Sequence, residues 1–584
     1  MRILVLTLLL AISLLIGSCT ENTTNEMFGY EKTLVVITDE EPTDALMIDI
    51  KGDMKRNYPE VEVEIVKTKD FDIFQAGYLL NEMAVSYPHD TYFAVVVDPG
   101  VHSKFVAYQI GERIVLAPDN GATTQMRREF NPQTIYYIDN PENFGDSDGD
   151  VNTIPFDSFY RQAILNMFKG IPVSNFGSVC KEPVELEIQD AEKKEGSVIG
   201  QILFVDNFGN CETNIPSSMM GSYEVGDLIE FSYGENKFIA KLGTSYSSVG
   251  TDENVAFLNS KKMLEVAVNL GNLSERYGIS AGTKIEIKQA VIRVGIIRYN
   301  SSDLVDNIIS GMKSEMAASG FTANKNVVYT EINAGGDSQN FGNLISGMLN
   351  NGIDIAVPVS TPAAQAALQY IPASIPVVYT YVTSPEFAGL INKRDNVAGL
   401  SDATNFEDYL SFAKELVPDL ENPGRIYNPS EPNSAFSQQQ FTSLAGFYGL
   451  TYNIETVSGV DDIPTAFNSL NSQGIKTILI AADNTLNLGM KSLADLAKEN
   501  DVKLIGDSDA NIVDGALASI SVDYDMLAKA TGTTVTSVVL GVDPDSKDIQ
   551  RFPTSVIGLN KATAAAIGYE FPQSVIDKAS KIIE

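Results

Sequence analysis

The chain has 584 residues, with 41 lysine plus arginine against 76 aspartate plus glutamate, two histidines, three cysteines and no tryptophan, so its formal net charge is -35. A surface this acidic repels phosphate backbones and argues against a nucleic-acid partner. Because only His89 and His102 are present, we expect no metal site and no mechanism that uses several histidines. The hydrophobic fraction of 44% is that of a globular protein.

The first 18 residues have the pattern of a secretory signal. One early positive charge precedes an apolar run over 3–16, which is shorter than the about twenty residues of a membrane-spanning helix. Ile16-Gly17-Ser18-Cys19 resembles a bacterial lipoprotein processing box, which implies that Cys19 carries lipid; the alternative is a plain cleaved signal with an incidental cysteine. We therefore expect a signal peptide over 1–18, a lipidated tether over 19–30 and an extracytoplasmic protein anchored to a membrane.

The other two cysteines are Cys180 and Cys211. An extracytoplasmic compartment permits a disulfide between them, but two buried thiols are equally compatible with the sequence.

In the first half, apolar strand patterns alternate with helical patterns. LVVIT at 34–38 and FAVVVD at 93–98 enclose helical patterns over 43–57 and 71–85, which predicts an α/β domain over 31–190 with a parallel sheet. Short strands and turn signals follow, and they predict a small β-barrel-like or sandwich domain over 191–289.

The strand-helix alternation restarts at Val291 and runs to the end of the chain. Successive cycles such as VIRVGIIRY, IDIAVPV and KTILIAAD predict two α/β lobes over 290–584 with a cleft between them. Ligands of such sheets bind beyond the carboxyl ends of the strands.

Polar residues recur at those strand ends. Ser360 and Thr361 open a helix and suit an anionic group, Tyr381 supplies an aromatic wall, and the second lobe offers acidic and amide groups that suit an amino group. The candidate ligand-binding residues are Ser360, Thr361, Tyr381, Asn433, Ser434, Asp483, Asn484 and Asp507. Each alone is compatible with an ordinary cap or turn, and their recurrence in both lobes favours a binding cleft.

These segments carry a family resemblance. STPAAQAAL at 360–368, VVYTYVTSPEFAGL at 377–390, NVAGLSD at 396–402, YNPSEPNS at 427–434 and AADN at 481–484 resemble the ABC-transporter substrate-binding proteins that include tryptophan and tyrosine binders. The resemblance implies a type I periplasmic-binding fold that closes on a small molecule, and permease and ATPase subunits as partners.

The first half carries a second resemblance. VVVDPGVHS at 95–103, LAPDNG at 116–121, FVDNFGNCETNI at 204–215 and NSKKMLEVAVNLGNLSERYGISAGTKIEI at 259–287 are similar to the S-adenosyl-L-methionine hydroxide adenosyltransferases, relatives of fluorinases and chlorinases. The resemblance implies an α/β domain paired with a small β domain, and it allows a homotrimer through this half.

The catalytic positions that the resemblance implies are mostly changed. Asp98 matches the family's aspartate, but Phe105 stands where an arginine is expected, with Lys104 beside it. The segment 153–157 contains no histidine where the family has one, and His102 is a weak substitute for it.

The positions that would hold an adenosyl ligand are better kept. The resemblance assigns ribose to Asp39, the methionine ammonium to Asp206, an adenine edge to Asn210 and the methionine carboxylate to Ser260. We expect no required cofactor, with S-adenosyl-L-methionine or a related nucleoside as a ligand of this half.

The sequence leaves three hypotheses. The first is a lipoprotein receptor of an ABC importer fused to a degenerate S-adenosylmethionine-binding module. The second is an active S-adenosylmethionine hydrolase coupled to product capture. The third, a purely structural or sensing protein, has no long charged or repetitive segment to support it.

Overall fold

The computed structural model describes residues 32–97, 104–144, 156–391 and 393–584. Two compact units make up these residues. The first comprises the described residues up to Ala191 with Gly200–Asn214 and Ser274–Lys284, and the second comprises Glu192–Ile199, Ile215–Leu273 and Ile285–Glu584.

The N-terminal domain is built on a seven-stranded sheet of order β2-β1-β3-β5-β4-β6-β7. Its strands are β1 Thr33–Thr38, β2 Glu62–Lys67, β3 Tyr92–Val96, β4 Phe105–Ile110, β5 Arg113–Pro118, β6 Ile135–Tyr137 and β7 Val179–Cys180. Its helices are Ala45–Asn57, Ile73–Ser86, Thr124–Phe130, Pro141–Phe144 and Phe156–Phe168. Strands β2, β1, β3 and β5 run parallel, as the alternating apolar patterns predict.

Both faces of this sheet are covered. Side chains of β1 alternate between two hydrophobic clusters, with Leu34 and Val36 in one and Val35 and Ile37 in the other. A strand buried on both sides therefore reads as a continuous apolar run. Cys180 in this domain and Cys211 in the barrel that follows are buried thiols that are not joined in a disulfide.

A closed, mainly antiparallel barrel follows, as the sequence predicts. Its strands are β8 Glu192–Lys194, β9 Ser197–Val205, β10 Cys211–Pro216, β11 Leu228–Tyr233, β12 Asn236–Leu242, β13 Asn254–Leu258, β14 Met263–Val268 and β15 Lys284–Gln289, with a short helix at Leu273–Tyr277. The strand order is β10-β14-β13-β12-β11-β15-β9-β8, and the β10–β9 pairing closes it. One pairing, β12 with β13, is parallel.

The C-terminal half contains two more sheets. Its strands are β16 Ile292–Arg298, β17 Val327–Asn333, β18 Ile355–Val359, β19 Val377–Val382, β20 Val397–Ser401, β21 Gly424–Tyr427, β22 Asn453–Thr456, β23 Thr477–Leu479, β24 Lys503–Gly506, β25 Ala518–Val522, β26 Gln550–Arg551, β27 Thr554–Asn560 and β28 Lys581–Ile583. Lobe 1 has the order β17-β16-β18-β19-β20-β26, and lobe 2 has the order β22-β21-β23-β24-β25-β27-β28. When the strands are counted from the first strand of each lobe, both sheets begin with the order 2-1-3-4-5 of a doubly wound sheet.

Helices cover both faces of each sheet. Those of lobe 1 are Asp303–Ala318, Phe341–Asn350, Thr361–Tyr370 and Tyr524–Val539. Those of lobe 2 are Phe406–Leu416, Pro432–Ala445, Ile463–Ser472, Asn484–Leu488, Met490–Glu499, Asp509–Val513, Lys561–Ala566 and Gln573–Ile576. The chain passes between the lobes after β20, after β25 and after β26. This is the two-lobed periplasmic-binding fold that the sequence predicts.

The barrel segment 215–273 and lobe 1 share a core. Only two residues separate β15 from β16, and Leu228 of the barrel lies in the same buried cluster as Ile292 of lobe 1. Polar contacts surround this cluster: the Lys325 ammonium lies 2.9 Å from Asp227, and the Asn254 N–H donates to the Leu540 carbonyl over 2.8 Å. The barrel segment is therefore packed against lobe 1 directly and is not tethered by a linker.

No helix among the described residues is both long and apolar enough to cross a membrane.

Candidate functional site

The lobe 1 face of the cleft begins where β18 ends. Ser360 has φ of 99°, a backbone conformation that residues with a side chain rarely adopt. Its hydroxyl is buried and has no hydrogen-bond partner within the protein. The helix Thr361–Tyr370 follows, with a proline in its first turn as predicted, so its first N–H groups point beyond the strand end. A polar ligand group is the missing partner that this arrangement fits.

Tyr381 also has a strained backbone, with φ of 57°, near the end of β19. Its ring meets that of Tyr524 edge-on, at 5.9 Å between centroids. From lobe 2, the Asn487 side-chain amide lies 3.4 Å from the Tyr381 hydroxyl. Tyr381 thus places an aromatic ring in the cleft and contacts the opposite lobe, while its role as a wall for the ligand stays a prediction.

The lobe 2 face contains Asp483, which caps the helix Asn484–Leu488. One carboxylate oxygen accepts the Leu486 N–H at 2.8 Å, and the other accepts the Asn428 N–H at 2.7 Å and the Ser434 hydroxyl at 2.5 Å. The predicted residues Asp483 and Ser434 therefore bind each other, so both Asp483 oxygens already have donors.

Glu431 holds a second network on the same face. Its carboxylate accepts the backbone N–H groups of Asn484 at 2.8 Å and Thr485 at 3.0 Å, together with the side chains of both residues. Only 5% of Glu431 is exposed. A buried carboxylate with several donors organises this loop.

Two further carboxyls are buried at the cleft. Burial raises the pKa of Asp402, after β20, to about 7. Burial and the nearby Asp402 raise the pKa of Asp507, after β24, to about 7. Burial and the neighbouring Glu431 raise the pKa of Asp483 to about 6. Near neutral pH these groups are poised between their charged and neutral forms.

One small cavity joins the two faces. It is lined by Thr361, Tyr381, Thr383, Asp402, Asn433, Ala482, Asp483, Asn484 and Asn487. Five of the predicted residues, Thr361, Tyr381, Asn433, Asp483 and Asn484, are among them. Ser360 and Asp507 are buried just after strands, and Ser434 is buried in the first turn of the helix Pro432–Ala445.

Sequence reasoning missed Thr383, Asp402, Glu431 and Asn487. Asp402 ends the NVAGLSD segment and Glu431 lies inside YNPSEPNS, so a polar residue following a strand was the available signal for both. Asn487 lies inside a helix and carried no such signal.

In the N-terminal domain, Asp39 follows β1 and accepts the Phe71 N–H at 3.0 Å. Gln75 connects the same segment to the barrel strand β9: it accepts the Lys69 N–H at 2.6 Å and donates to the Val205 carbonyl at 3.3 Å. These hydrogen bonds bring the segment after Asp39 close to the strand that ends at Asp206.

Asp206 and Asn210 form one tight turn. Asp206 accepts the backbone N–H groups of Phe208 at 2.8 Å and Asn210 at 2.9 Å, and it accepts the Asn210 side-chain amide at 2.8 Å. The same turn leaves the Phe208 ring 75% exposed. An exposed aromatic ring beside a carboxylate and an amide is suited to stacking on a flat ligand.

The other predicted positions fall in several places. Phe105 packs against Phe159 and Tyr160, with centroids 5.6 Å and 5.4 Å away, so a core ring stands where the family has an arginine. The Lys104 ammonium lies 4.6 Å over the Tyr137 ring. Ser260 is exposed in the turn between β13 and β14. Asp98, His102 and Cys19 lie outside the described residues, as does the 153–155 part of the segment expected to hold the histidine.

The comparisons with known proteins divide at the same place as the folds. Residues 293–583 match the family of ABC transporter substrate binding proteins. Residues 34–177 match the N-terminal domain of the SAM hydroxide adenosyltransferases, and residues 200–286 match their C-terminal domain. The C-terminal half is thus an ABC substrate-binding domain, and the N-terminal half consists of the two adenosyltransferase domains.

Three curated relatives illustrate both halves. A tyrosine-binding protein of Clostridioides difficile is 26% identical over 278 residues, which cover 47% of this chain and 80% of the relative. A fluorinase of Nocardia brasiliensis is 24% identical over 300 residues, and the matched region makes up 44% of this chain and 98% of the fluorinase. An (R)-S-adenosyl-L-methionine hydrolase of Thermus thermophilus is 27% identical and covers 37% of this chain and 83% of its own.

Proposed function

We propose that this protein is the membrane-anchored receptor of an ABC importer for a small metabolite, an aromatic amino acid or a nucleoside-like compound. The observation that carries the proposal is the family match over the whole two-lobed fold, with polar side chains from both lobes lining one cavity. The tyrosine-binding relative supports an aromatic amino acid. Such a receptor closes on its ligand and delivers it to permease and ATPase subunits.

The geometry suggests how an amino acid would lie. Its carboxylate would meet the Ser360 hydroxyl, which has no partner within the protein, and the first N–H groups of the helix Thr361–Tyr370. Its ring would lie against Tyr381. Asn433 would close over it from lobe 2.

A thermal-shift panel of amino acids, nucleosides and S-adenosylmethionine tests this function. A ligand present at 100 times its dissociation constant adds about 2.7 kcal/mol to the unfolding free energy, which such an assay registers. We expect at least one aromatic amino acid or nucleoside to raise the Tm. A panel in which no compound shifts the Tm would contradict the receptor function.

The membrane anchor is part of the proposal. The apolar run over 3–16 and the processing-box pattern that ends at Cys19 support lipid attachment at this cysteine and an extracytoplasmic location. We expect radiolabelled fatty acid to be incorporated in cells that produce the full chain and to be lost in Cys19→Ala. Equal labelling of both chains would exclude this attachment site.

For the N-terminal half, we propose an adenosyl-ligand-binding module with little turnover. The family match and the hydrolase relative support the ligand class. The Phe105 ring in the core argues against turnover, because it brings no charge to the position where the family has an arginine. Asp39, Asp206, Asn210 and Ser260 remain the candidate contacts.

Incubation of the full chain with S-adenosylmethionine distinguishes this module from a hydrolase. We expect adenosine and methionine to stay at the level of a control without protein, since an ordered water at the 5′ carbon needs positioned polar groups. Product above that control, abolished in Asp98→Ala, would establish the alternative, an active hydrolase coupled to product capture.

A further inference from the structure

Asp402 is a buried carboxyl group with an unused oxygen. It follows β20, where the chain first leaves lobe 1, and it lines the cavity with only 5% of its surface exposed. The Thr383 hydroxyl donates to its carboxyl group, but Oδ1 has no hydrogen-bond partner within the protein. A buried carboxylate oxygen without a donor is costly unless a cation or a proton reaches it.

Asp507 approaches from the opposite lobe. It follows β24, is 4% exposed, and accepts a hydrogen bond from the Ala482 N–H. Each carboxyl is deeply buried, and the charge of Asp402 raises the pKa of Asp507. Two acidic groups, one from each lobe, thus face a poorly solvated space.

The surrounding groups add little positive charge to this space. The rings of Tyr381 and Tyr524 lie beside the pair, and their phenols stay neutral because burial and the neighbouring carboxyls raise the pKa of each well above its usual value. Glu431 and Asp483 in lobe 2 are acidic. Among the residues that line the cavity in the described part of the chain, none is a lysine or an arginine.

Two charged groups complete the surroundings. Arg425 acts on Asp507 from within lobe 2, but its guanidinium donates to the Leu479 carbonyl at 3.0 Å and to Gln438 at 3.2 Å, and it packs over the Phe441 ring. Asp509 is paired with Lys581 at 2.9 Å. Neither group places a cation beside Asp402.

We propose that Asp402, reinforced by Asp507, receives the positively charged group of the ligand, and that a proton takes its place when the cleft is closed and empty. The inference rests on the proposed receptor function and narrows its substrate class to small molecules that carry an ammonium or a comparable cation. It assigns the cation to lobe 1 and the hinge, whereas the sequence pointed to the lobe 2 strand ends. Asp402 is the contact residue, and Asp507 positions and strengthens its charge.

A proton and the cationic group of the ligand compete for the same Asp402 oxygen, so the direction in which ligand affinity changes with pH can be predicted. The pKa values of about 7 mean that the carboxyls hold protons below neutral pH, so a cationic ligand binds more tightly as pH rises from 5.5 to 8. The ligand-free protein behaves in the opposite way. Its Asp402 and Asp507 bind more protons in the folded state than in the unfolded chain between about pH 4 and pH 7, so the stability that these two groups contribute falls as pH rises through that range.

Titration calorimetry with matched compounds tests the cation site. L-tyrosine and L-tryptophan would be compared with 3-(4-hydroxyphenyl)propionate and 3-(indol-3-yl)propionate, which lack only the amino group. We expect the better-bound amino acid to lose at least tenfold in affinity without its amino group and at least tenfold in Asp402→Asn. The exposed Asp395→Asn serves as the control and should bind like the wild type.

Equal affinity with and without the amino group, or wild-type affinity in Asp402→Asn, would overturn the cation site and leave the receptor function intact. Absence of binding by all four compounds would overturn the aromatic amino acid as the ligand, and with it this cation site, whereas the receptor function is judged by the wider panel that includes nucleosides and S-adenosylmethionine.

The pH dependence of the Tm without ligand then tests the pair of Asp402 and Asp507 by itself. We expect the Tm of the wild type and of Asp395→Asn to fall from pH 5.5 to pH 8, and the Tm of Asp402→Asn to fall less. A slope that Asp402→Asn leaves unchanged would overturn the pairing.

Discussion

The two faces of the cleft differ in how their buried polar side chains are hydrogen-bonded. On lobe 2, the carboxylates of Glu431 and Asp483 accept hydrogen bonds from neighbouring loops. On lobe 1, the Ser360 hydroxyl and one Asp402 oxygen are buried without partners, and the backbone of Ser360 is strained. The hydrogen bonds of the lobe 2 face are therefore already made before a ligand arrives, whereas those of the lobe 1 face are completed by the ligand. Unpaired buried groups and strain mark the sites where a structure gives up stability for function.

The largest expected effect comes from removing the central acceptor of lobe 2. Glu431→Ala leaves the N–H groups of Asn484 and Thr485 buried without a partner, and we expect a loss of roughly 3–5 kcal/mol in unfolding free energy by urea denaturation. The exposed Glu421→Ala is the matched control and should leave the midpoint unchanged. A Glu431→Ala midpoint equal to that of the control would remove the basis for a preorganised lobe 2.

A matched serine pair compares the faces directly. Ser434→Ala removes a hydroxyl that donates to Asp483 and accepts from the Asn428 N–H, so we expect a loss of about 1–2 kcal/mol. Ser360→Ala removes a buried hydroxyl that has no partner within the protein, so the ligand-free protein should keep its stability or gain slightly. Equal losses in the two variants would mean that the faces do not differ.

The smallest effect concerns the strained turn. Ser360→Gly relieves a φ of 99° and should stabilise the ligand-free protein by about 1 kcal/mol, measured as a higher denaturation midpoint. Gly474, which already has a positive φ, provides the reverse control, because Gly474→Ala should destabilise. A lower midpoint for Ser360→Gly would show that the Ser360 side chain stabilises the ligand-free protein, a role that its assignment to ligand binding does not include.

Much of the fold could be predicted from local sequence patterns. The apolar run at 34–38 and the helical pattern over 43–57 correspond to β1 and to the helix Ala45–Asn57, because period and burial are set by neighbouring residues. Ser360 and Pro362 likewise mark a helix start that the structure contains. The site was harder to predict. Asp402 and Asp507 lie about a hundred residues apart in sequence, and only closure of two lobes brings their charges together.

Local patterns also cannot tell which polar strand ends are already satisfied. Ser434 and Ser360 look alike in sequence, yet one is bound to Asp483 and the other has no partner in the protein. That distinction depends on loops that meet in three dimensions, such as the contact of Asn428 with Asp483.

Calorimetric titration of the ligand-free full chain with L-tyrosine and L-tryptophan at pH 8, beside the Ser360→Ala and Ser434→Ala variants, tests the central claim most directly. We expect saturable binding at one site per chain, with a larger loss of affinity in Ser360→Ala because the lobe 1 hydroxyl meets the ligand. Binding that is weakened more by Ser434→Ala than by Ser360→Ala would contradict this role of lobe 1, and the absence of saturable heat with both amino acids would contradict an aromatic amino acid as the ligand.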